Sequence, residues 1–465
     1  MNKRLIAAFS SLFLLALAQA KPNIVFILAD DLGYGDIRAY NGGSQIETPY
    51  LDQLAAQGMR FTDAHSGGAT CVPSRYALLT GRFAIRAASL KWRDGALIEE
   101  GRMTIASLLQ SNGYRTAMVG KWHQGFDMPP QETKDATFDF AKSITGGPVD
   151  RGFDSFFGMH ASLDIPPYFY MRGRSATKLP ERIIEARTSV GGPEGWNRIQ
   201  GAFWREGLVG SDFVHEEVTP RFLEEATAVL TRHASSESER PLFLYLALPS
   251  PHTPWLPTEA FRGKSRVGMY GDFVMQVDAV VGSLLGTLAD TGLERDTLVI
   301  FTSDNGPVWY EENTERFGHS AAGPLRGKKA TSWEGAHRVP FIVRWPTAIE
   351  PGSVSERLIS FADLYATFSD LVGKTAIPAE TAPDSVSFFP ILKGEALSPR
   401  PAIVHSDTSI RSGDWKLILP RKGRQAAKGE LYHLASDLGE TANLFEERPE
   451  TVERLSTELK ALMAE

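Results

Sequence analysis

Three continuous apolar runs constrain the fold of this chain more than any other feature. They cover Asn23–Ala29, Leu242–Leu248 and Thr297–Thr302. Each run has the length of a strand and lacks polar alternation, which is typical of a strand buried on both faces of a parallel sheet. Helix-like segments lie between the runs, so the sequence predicts an α/β fold with a large, mostly parallel sheet flanked by helices. Such sheets hold their functional sites at the carboxyl ends of the strands.

The C-terminal part of the chain has a different pattern. After a linker-like stretch near residues 346–354 come several short strand-like segments and the charged helix-like segment Pro449–Met463. We therefore predict an α/β domain over residues 21–385 and a smaller α+β subdomain over residues 386–465.

The N-terminus is typical of a cleaved signal peptide. Two basic residues precede the apolar stretch Leu5–Leu17, and the small-x-small pattern Ala18–Ala20 follows. We predict that residues 1–20 are removed and that the protein is exported, to the periplasm or outside the cell. The apolar stretch is short for a membrane span, and no cysteine directly follows the cut to carry a lipid. No later stretch is predicted to be long and apolar enough for a transmembrane helix.

Charge argues against nucleic acid as a partner. The chain has 49 basic and 56 acidic residues, and its formal net charge is −7. Loss of residues 1–20 removes two positive charges and makes the net charge −9. No basic excess is left to hold a phosphate backbone.

Cys71 is the single cysteine of the chain. It cannot form an internal disulfide, and an exported thiol without a partner is unusual. The stretch Cys71–Arg75 reads C-x-P-S-R at the start of a predicted helix, where Pro73 suits the first turn and the helix N-terminus favours an anion nearby. The alternative is a buried structural thiol, which is a common state of a free cysteine.

Polar groups follow two of the buried strands. Asp30 and Asp31 come after the first strand, and Asp304 and Asn305 come after the third. Either pair alone is also typical of a turn or a helix cap. Together they offer only oxygen ligands, so we predict one hard divalent cation, Ca²⁺ with Mg²⁺ as the alternative. Zinc is disfavoured because no cysteine or histidine lies beside these residues in the sequence.

Cations and histidines occupy further strand ends. Lys121 and His123 follow a strand-like segment, His252 follows the second apolar run, and Lys329 lies in a basic loop. Each of these residues alone is as typical of a structural histidine or a solvated lysine. Gathered around a metal ion, they would suit an anionic substrate.

The motifs around these residues resemble those of the formylglycine-dependent sulfatases of the alkaline-phosphatase-like superfamily. The matching segments follow one another in order along nearly the whole mature chain. They are Pro22–Gly35, Cys71–Arg75 with Leu79–Arg82, Gly113–His123, Pro251–His252, Asp304–Gly306, Leu325–Lys329, Trp333–Gly335, Trp415–Leu417, Glu430–Tyr432 and Glu440–Leu444. The resemblance implies an alkaline-phosphatase-like fold with an antiparallel sheet in the C-terminal subdomain.

The resemblance also implies a role for each motif residue. Cys71 would be oxidised to formylglycine (3-oxoalanine) by a maturation enzyme, which explains the isolated cysteine. Ca²⁺ would be bound by Asp30, Asp31, Asp304 and Asn305. Arg75 would stabilise the modified residue, and Lys121 and Lys329 would neutralise the sulfate. His123 would act on the formylglycine hydroxyl, and His252 would lie near the leaving oxygen.

A sulfatase with a signal peptide is expected to act on sulfated glycans, and we predict exo action on sulfated carbohydrates. The insert from His160 to Glu217 is rich in aromatic residues and arginine, which suits a sugar pocket, although an ordinary surface loop is the alternative. Candidate substrate-binding residues are Ser162, His160, Arg172, Arg174 and His215 in this insert, and His319 outside it.

Two other functions remain open from the sequence. One is a phosphatase or phosphonate hydrolase of the same superfamily, which hydrolysis of matched aryl sulfate and phosphate esters would separate. The other is a pseudoenzyme that binds glycans without turnover.

Overall fold

The computed structural model describes residues 21–128, 138–192, 195–374, 377–420 and 428–464. The predicted signal peptide lies outside the described residues. The strands are β1 (Asn23–Ala29), β2 (Met59–Phe61), β3 (Ala64–His65), β4 (Arg115–Lys121), β5 (Ser155–Met159), β6 (Met171–Arg172), β7 (Ser175–Ala176), β8 (Pro180–Ile184), β9 (Gly207–Gly210), β10 (Leu242–Ala247), β11 (Thr297–Ser303), β12 (Phe341–Arg344), β13 (Ser353–Ser355), β14 (Ile359–Ser360), β15 (Ile403–Ser406), β16 (Ser409–Ser412), β17 (Trp415–Ile418) and β18 (Glu430–His433). The helices are α1 (Pro49–Gln57), α2 (Cys71–Thr80), α3 (Ile105–Ser111), α4 (Val218–Ala234), α5 (Gly268–Asp290), α6 (Glu311–Phe317), α7 (Asp363–Leu371), α8 (Phe389–Leu392) and α9 (Pro449–Ala464).

A ten-stranded sheet forms the centre of the larger part of the fold. Its order is β13-β2-β12-β11-β1-β10-β4-β5-β6-β7. The five central strands, β11, β1, β10, β4 and β5, pair in parallel. Strand β12 pairs antiparallel with both β11 and β2. The predicted α/β class and mostly parallel sheet are therefore confirmed.

The apolar run of β1 is buried on both faces, as its composition requires. Because successive side chains of a strand point to opposite faces, Val25 and Ile27 join a core with α1, α4 and α5. Ile24 and Phe26 point the other way and join a second core with α2, α3 and α7. Two helical layers thus exclude water from the strand.

Helix α5 corrects one expectation from the sequence. Its 23 residues are long and apolar enough to cross a membrane by length and composition. However, 56% of its most apolar stretch is buried, and Phe273 and Val277 pack in the core against the sheet. Its apolar character is explained by a place inside the fold, since a helix buried on most sides has no polar face.

A four-stranded antiparallel sheet, β15-β16-β17-β18, forms the C-terminal part. Ile410, Leu417 and Leu431 from this sheet pack with Leu455 and Leu459 of α9 in a separate apolar cluster. The antiparallel arrangement implied for the C-terminal region is confirmed.

Candidate active site

The parallel register brings the predicted site residues to one edge of the sheet. Ala29 at the end of β1 pairs with Ser303 of β11, and Gly120 of β4 pairs with Ala247 of β10. The residues that follow these strand ends therefore meet. Together with α2 and the loop before the 3₁₀ helix Glu334–Ala336 they form a largely buried group that we call the cysteine cluster. It consists of Asp30, Asp31, Cys71, Arg75, Lys121, Asp304, Asn305 and Lys329.

Cys71 begins helix α2 and is only 3% exposed. Its Sγ atom lies 3.4 Å from Lys121 Nζ, 3.4 Å from Lys329 Nζ and 3.4 Å from Asp30 Oδ1. Burial, together with the carboxylates of Asp30 and Asp304, raises the pKa of the Cys71 thiol far above its usual range, although both lysines oppose this. The unmodified thiol is therefore neutral and a poor nucleophile.

Arg75 joins the ends of three strands. Its guanidinium contacts Asp304 Oδ2 at 2.8 Å and Asp30 Oδ2 at 3.3 Å, and it donates to the Lys121 carbonyl at 2.9 Å. Helix geometry places this side chain one turn after Cys71. Arg75 is completely buried, so its contacts fix the floor of the site.

The four predicted oxygen ligands lie together. Asn305 Nδ2 donates to Asp31 Oδ1 at 2.6 Å, and the Asp31 N–H donates to Asp304 Oδ1 at 3.2 Å. Lys329 Nζ also lies 2.6 Å from Asp31 Oδ1. Two buried oxygens, Asp31 Oδ2 and Asn305 Oδ1, have no hydrogen-bond partner in the part of the chain that the structure describes. Because unpaired buried oxygens are costly and suit a hard cation, this donor set fits Ca²⁺ or Mg²⁺.

Sulfur and nitrogen atoms also approach these oxygens. Asp30, Asp31, Cys71 and His252 each offer an atom within 4.8 Å of the others. Zinc was disfavoured because no cysteine or histidine lies beside these carboxylates in the sequence. In the folded chain, however, Cys71 and His252 do lie beside them. The unpaired oxygens still favour a hard cation.

The charge state of Asp30 follows from its neighbours. Burial alone would raise the pKa of this carboxyl, but Lys121, His252, Arg75 and Lys329 outweigh burial and hold its pKa far below the usual range. Asp30 is therefore a carboxylate, in contact with Lys121 Nζ.

His123 and Asp31 both have left-handed backbone conformations, with φ values of 54° and 64°. Such values are uncommon for residues other than glycine and concentrate at functional sites. Both ring nitrogens of buried His123 lack a hydrogen-bond partner. Burial, followed by the charges of Lys121 and Arg75, lowers the pKa of His123 well below its usual value, so the ring is neutral and can accept a proton.

His252 follows β10 and faces the cluster. Its Nε2 lies 3.6 Å from Asp31 Oδ2, while its Nδ1 lies 2.6 Å from the carbonyl oxygen of Thr253. That contact assigns the proton to Nδ1 and leaves Nε2 directed at the site. The Asp164 carboxylate lies nearby, with Oδ1 3.9 Å from Nδ1.

The structure brings three predicted substrate-binding residues near this edge of the sheet. His160 and Ser162 follow β5. The backbone N–H of His123 donates to the backbone carbonyl of His160 at 2.9 Å. Ser162 Oγ and His215 Nε2 are buried without a partner. Burial is the main cause that lowers the pKa values of His160 and His215 to about 4.

The other three candidates have different partners. Arg172 pairs with Glu225, and Arg174 Nη2 lies 2.7 Å from Asp150 Oδ1, both on the exposed surface. His319 is 1% exposed, with Nε2 2.8 Å from Asp36 Oδ1 and Nδ1 accepting from the Gln45 N–H. Both its nitrogens are occupied, so the structure gives His319 a supporting place in the fold instead of a substrate contact.

Two cavities border the cluster. One, of about 560 Å³, is lined by Trp92, Arg93 and His160 among others, and Trp92 packs edge-on against His123 at 4.7 Å between ring centroids. The second, of about 690 Å³, includes Thr70 and Ala330, the neighbours of Cys71 and Lys329. Both cavities are thus lined by residues next to the cluster, and none of its own members is among the lining residues.

Sequence reasoning missed a second buried group of charges. It lies where the C-terminal sheet meets the large sheet, and we call it the histidine cluster; its members are Asp63, His65, Glu334, His337, His405, Arg411, Lys416 and Glu440. Glu334, Lys416 and Glu440 lie in segments that match the sulfatase motifs, and this was the signal available in the sequence. The motifs alone do not indicate that the three residues lie together.

Three histidines meet inside this cluster. His65 Nδ1 lies 3.1 Å from His337 Nδ1 and 3.2 Å from His405 Nε2. The three rings are close enough to share a metal ion. However, Lys416 Nζ lies 3.3 Å from His337 Nε2 and Arg411 Nη1 lies 3.1 Å from His65 Nε2. These cations disfavour a further positive charge.

Two models of sulfatase families match the chain. A family model described as Sulfatase matches residues 22–374, and a model described as N-sulphoglucosamine sulphohydrolase, C-terminal, matches residues 328–465.

Individual relatives cover most of the chain. N-acetylgalactosamine-6-O-sulfatase of Bacteroides thetaiotaomicron is 33% identical over 488 residues, covering 95% of this chain and 93% of that enzyme. Human arylsulfatase A is 33% identical over 425 residues, covering 85% of this chain and 74% of that enzyme. A solved structure concerning the metabolism of multiple glycosaminoglycans by Bacteroides thetaiotaomicron has a TM-score of 0.83 and 31% identity, and the match covers 96% of this chain and 100% of that chain.

Proposed function

The chain belongs to the sulfatase family and is a sulfuric ester hydrolase, and from that premise we propose a specific activity. It is an exported enzyme that removes sulfate from the ends of sulfated carbohydrates, using a formylglycine made from Cys71 and a bound Ca²⁺. One observation carries this proposal: Cys71 Sγ lies 3.4 Å from two lysine Nζ atoms beside unpaired buried oxygens.

The side chains around position 71 suit a sulfate group. Lys121 Nζ and Lys329 Nζ approach residue 71 from β4 and from the basic loop, and each can contact an oxygen of a bound sulfate. The charges of the two lysines would neutralise the negative charge that is spread over the sulfate oxygens. Further negative charge develops on the leaving oxygen as the S–O bond breaks. Arg75 holds the carboxylates of Asp30 and Asp304 in place beneath them.

Asp30, Asp31, Asp304 and Asn305 would hold the Ca²⁺. A bound Ca²⁺ supplies positive charge to the sulfate oxygens. A formylglycine at position 71 supplies, as its hydrate, a hydroxyl nucleophile that the neutral, buried thiol of Cys71 does not provide.

Two histidines move the protons. His252, protonated on both ring nitrogens, would donate the Nε2 proton to the leaving alcohol oxygen, while its Nδ1–H keeps donating to the Thr253 carbonyl oxygen and fixes the ring. Neutral His123 accepts a proton from the hydroxyl at position 71 on one of its unpartnered ring nitrogens. One histidine thus serves as the acid and the other as the base.

Burial of the cluster supports exo action. Cys71 is 3% exposed and Lys121 is not exposed, so the reacting sulfate must enter a recess. A terminal sugar can enter such a recess more readily than a sugar within a polymer. Carbohydrate substrates are further supported by the relative that acts on N-acetylgalactosamine 6-O-sulfate.

We also propose export of the protein, maturation of Cys71 and the boundaries of its two domains. The pattern of residues 1–20 supports export, to the periplasm or beyond the cell. A maturation enzyme must oxidise Cys71 during synthesis. The catalytic domain spans residues 21–385 and the C-terminal subdomain spans residues 386–465.

The test compares sulfate release from an aryl sulfate and phosphate release from the matched aryl phosphate. It then compares oligosaccharides that carry sulfate at the terminal sugar or at an internal sugar. We expect preference for the sulfate and for the terminal position. Preference for the phosphate ester would favour a phosphatase, and tight glycan binding without release by mature protein would favour a pseudoenzyme.

A further inference from the structure

Asp164 is a buried carboxylate with unused hydrogen-bonding capacity. It lies in the loop after β5 and is 6% exposed. Its Oδ2 contacts Arg205 Nη1, which also donates to the Asp164 carbonyl at 2.9 Å. Its Oδ1 is buried and has no hydrogen-bond partner. A carboxylate oxygen without a donor is costly inside a protein, so a donor is expected there when the site works.

The unpaired oxygen lies beside the proposed proton donor. Asp164 Oδ1 is 3.9 Å from His252 Nδ1, which is beyond hydrogen-bond distance. His252 Nδ1 already has its partner, the Thr253 carbonyl at 2.6 Å. Asp164 is therefore not needed to orient the ring, and its buried Oδ1 keeps its capacity to accept a hydrogen bond.

The surroundings of Asp164 suit a sugar. The Trp204 ring stacks on His215 at 4.6 Å, and His215 Nε2 is also unpartnered. The Arg205 side chain is 48% exposed and connects Asp164 to the solvent side. The Trp204 ring is 8% exposed and contacts both His215 and Arg187, so the unpaired oxygen of Asp164 and the unpaired nitrogen of His215, and not the ring, are the groups that would contact a sugar.

We propose that Asp164, held by Arg205, is a specificity-determining residue that accepts a hydrogen bond from a sugar hydroxyl beside the sulfated carbon. The inference deepens the proposed function and rests on it. Because the free atom is a carboxylate oxygen, it favours a neutral donor and disfavours a second sulfate or a uronate at the same place.

The consequence is a difference between two substrate classes. A sulfated sugar offers a hydroxyl to Asp164, whereas a simple aryl sulfate has none. Loss of the acceptor should therefore reduce activity on the sugar and spare activity on the aryl ester. A hydrogen bond to a charged group corresponds to roughly a 10- to 100-fold difference in kcat/KM.

The experiment measures kcat/KM for a sulfated monosaccharide and for p-nitrophenyl sulfate with the mature protein and with D164N. In D164N the amide oxygen stays with Arg205, so the NH₂ group faces the sugar and the acceptor is lost. We expect a roughly 10- to 100-fold loss on the sugar and a change below about twofold on the aryl sulfate. D164A should show the same preference.

Glu294 provides a matched control. It pairs with Arg344 in the same way, but it precedes β11 at the opposite end of the sheet. E294Q should leave the ratio of the two activities unchanged. Melting temperatures of all variants report whether any of them is misfolded.

A series of deoxy sugars tests the inference on the unmodified protein. Removal of the sugar hydroxyl that contacts Asp164 should reduce kcat/KM for the unmodified protein. The same removal should change kcat/KM for D164N little. Equal loss on both substrate classes, or no penalty for any deoxy sugar, would overturn the inference. Absence of sulfate release from both classes by the mature, unmodified protein would instead remove the proposed function itself, and the inference with it.

Discussion

The cysteine cluster and the histidine cluster are built from similar charges but differ in how completely they are paired. Each contains three buried carboxylates that lie close to lysine or arginine nitrogens. In the histidine cluster, Lys416 Nζ lies 3.0 Å from Glu334 and 2.9 Å from Glu440, and Arg411 Nη2 lies 2.7 Å from Asp63. Among the described residues, its atoms without a hydrogen bond are His405 Nδ1 and Glu440 Oε1, and the latter still lies 2.9 Å from Lys416 Nζ.

The cysteine cluster and the adjoining His123 leave more atoms unpaired at one place. Within the described ranges, Asp31 Oδ2, Asn305 Oδ1 and both ring nitrogens of His123 have no hydrogen-bond partner. Asp31 and His123 have left-handed backbone conformations, but so does Glu440 in the histidine cluster, so the unpaired atoms distinguish the two sites and the backbone does not. Unpaired buried polar atoms cost stability, and a bound ligand can supply the missing partners. The larger number of such atoms at the cysteine cluster supports the proposal that this cluster performs the chemistry, whereas the histidine cluster stabilises the fold.

The largest expected effect concerns Cys71. In C71A the residue that carries the proposed nucleophile is gone, so sulfate release should fall about 10⁴-fold or more. The melting temperature should change little, because Sγ has only three polar contacts at 3.4 Å. Initial rates and thermal melts of both proteins check this. Retention of more than a few per cent of the activity would break the assignment of chemistry to this cluster.

The second effect tests the histidine cluster by its stability. Lys416 is fully buried between Glu334 and Glu440, so K416M should destabilise the fold by about 3–5 kcal/mol. Denaturant unfolding measures this, and the fraction that remains folded should keep its kcat. K460M on the exposed face of α9 is the control. A large loss of kcat in fully folded K416M would contradict the division of roles.

The third effect concerns the metal. Because Asp31 Oδ2 and Asn305 Oδ1 lack partners, removal of divalent cations with a chelator should lower kcat/KM by about 100-fold or more, and Ca²⁺ should restore it. D31N should need more Ca²⁺ for the same activity, whereas D290N, at the exposed end of α5, should not. Full activity after chelation and dialysis would argue against a metal at these oxygens.

The smallest effect is a dependence of stability on pH. Burial is the main cause that lowers the pKa values of His65, His337 and His405. The unfolded chain therefore binds protons at a higher pH than the folded one. The stabilisation is complete above about pH 6.5 and is lost as the pH falls below it, by up to about 1.4 kcal/mol per pH unit for each histidine.

H405Q tests that dependence. Its unfolding free energy between pH 7.5 and pH 5.5 should fall less steeply than that of the unmodified protein, by about 1.4 kcal/mol per pH unit at most. H433Q, at the end of β18, is the control. Identical slopes for H405Q and the unmodified protein would show that His405 is not buried in its neutral form.

The central sheet was predictable because its strands are apolar throughout. Asn23–Ala29 and Thr297–Ser303 need helices on both faces, and that requirement determines the class of fold. The assembly of Asp30, Asp31 and Asp304 followed from strand ends that meet at one edge. Helix α5 was misjudged because, by length and composition, it is apolar enough to cross a membrane, although 56% of its most apolar stretch is buried.

Contacts between distant segments were not predictable. His252 and Cys71 approach Asp31 and Asp30 through register and packing that one sequence does not display. The same holds for Asp164, whose unpaired oxygen is visible only when the loop is folded. His319 could be assigned a supporting place only after Asp36 was found beside it.

The chemical state of Cys71 tests the central claim most directly. The measurement is the mass of the tryptic peptide Phe61–Arg75 from protein made in its natural host. The account predicts the mass of the aldehyde, lighter than that of the thiol, in a preparation that releases sulfate. An unmodified thiol in an active preparation would contradict the account, because the buried, neutral sulfur would then have to perform the chemistry.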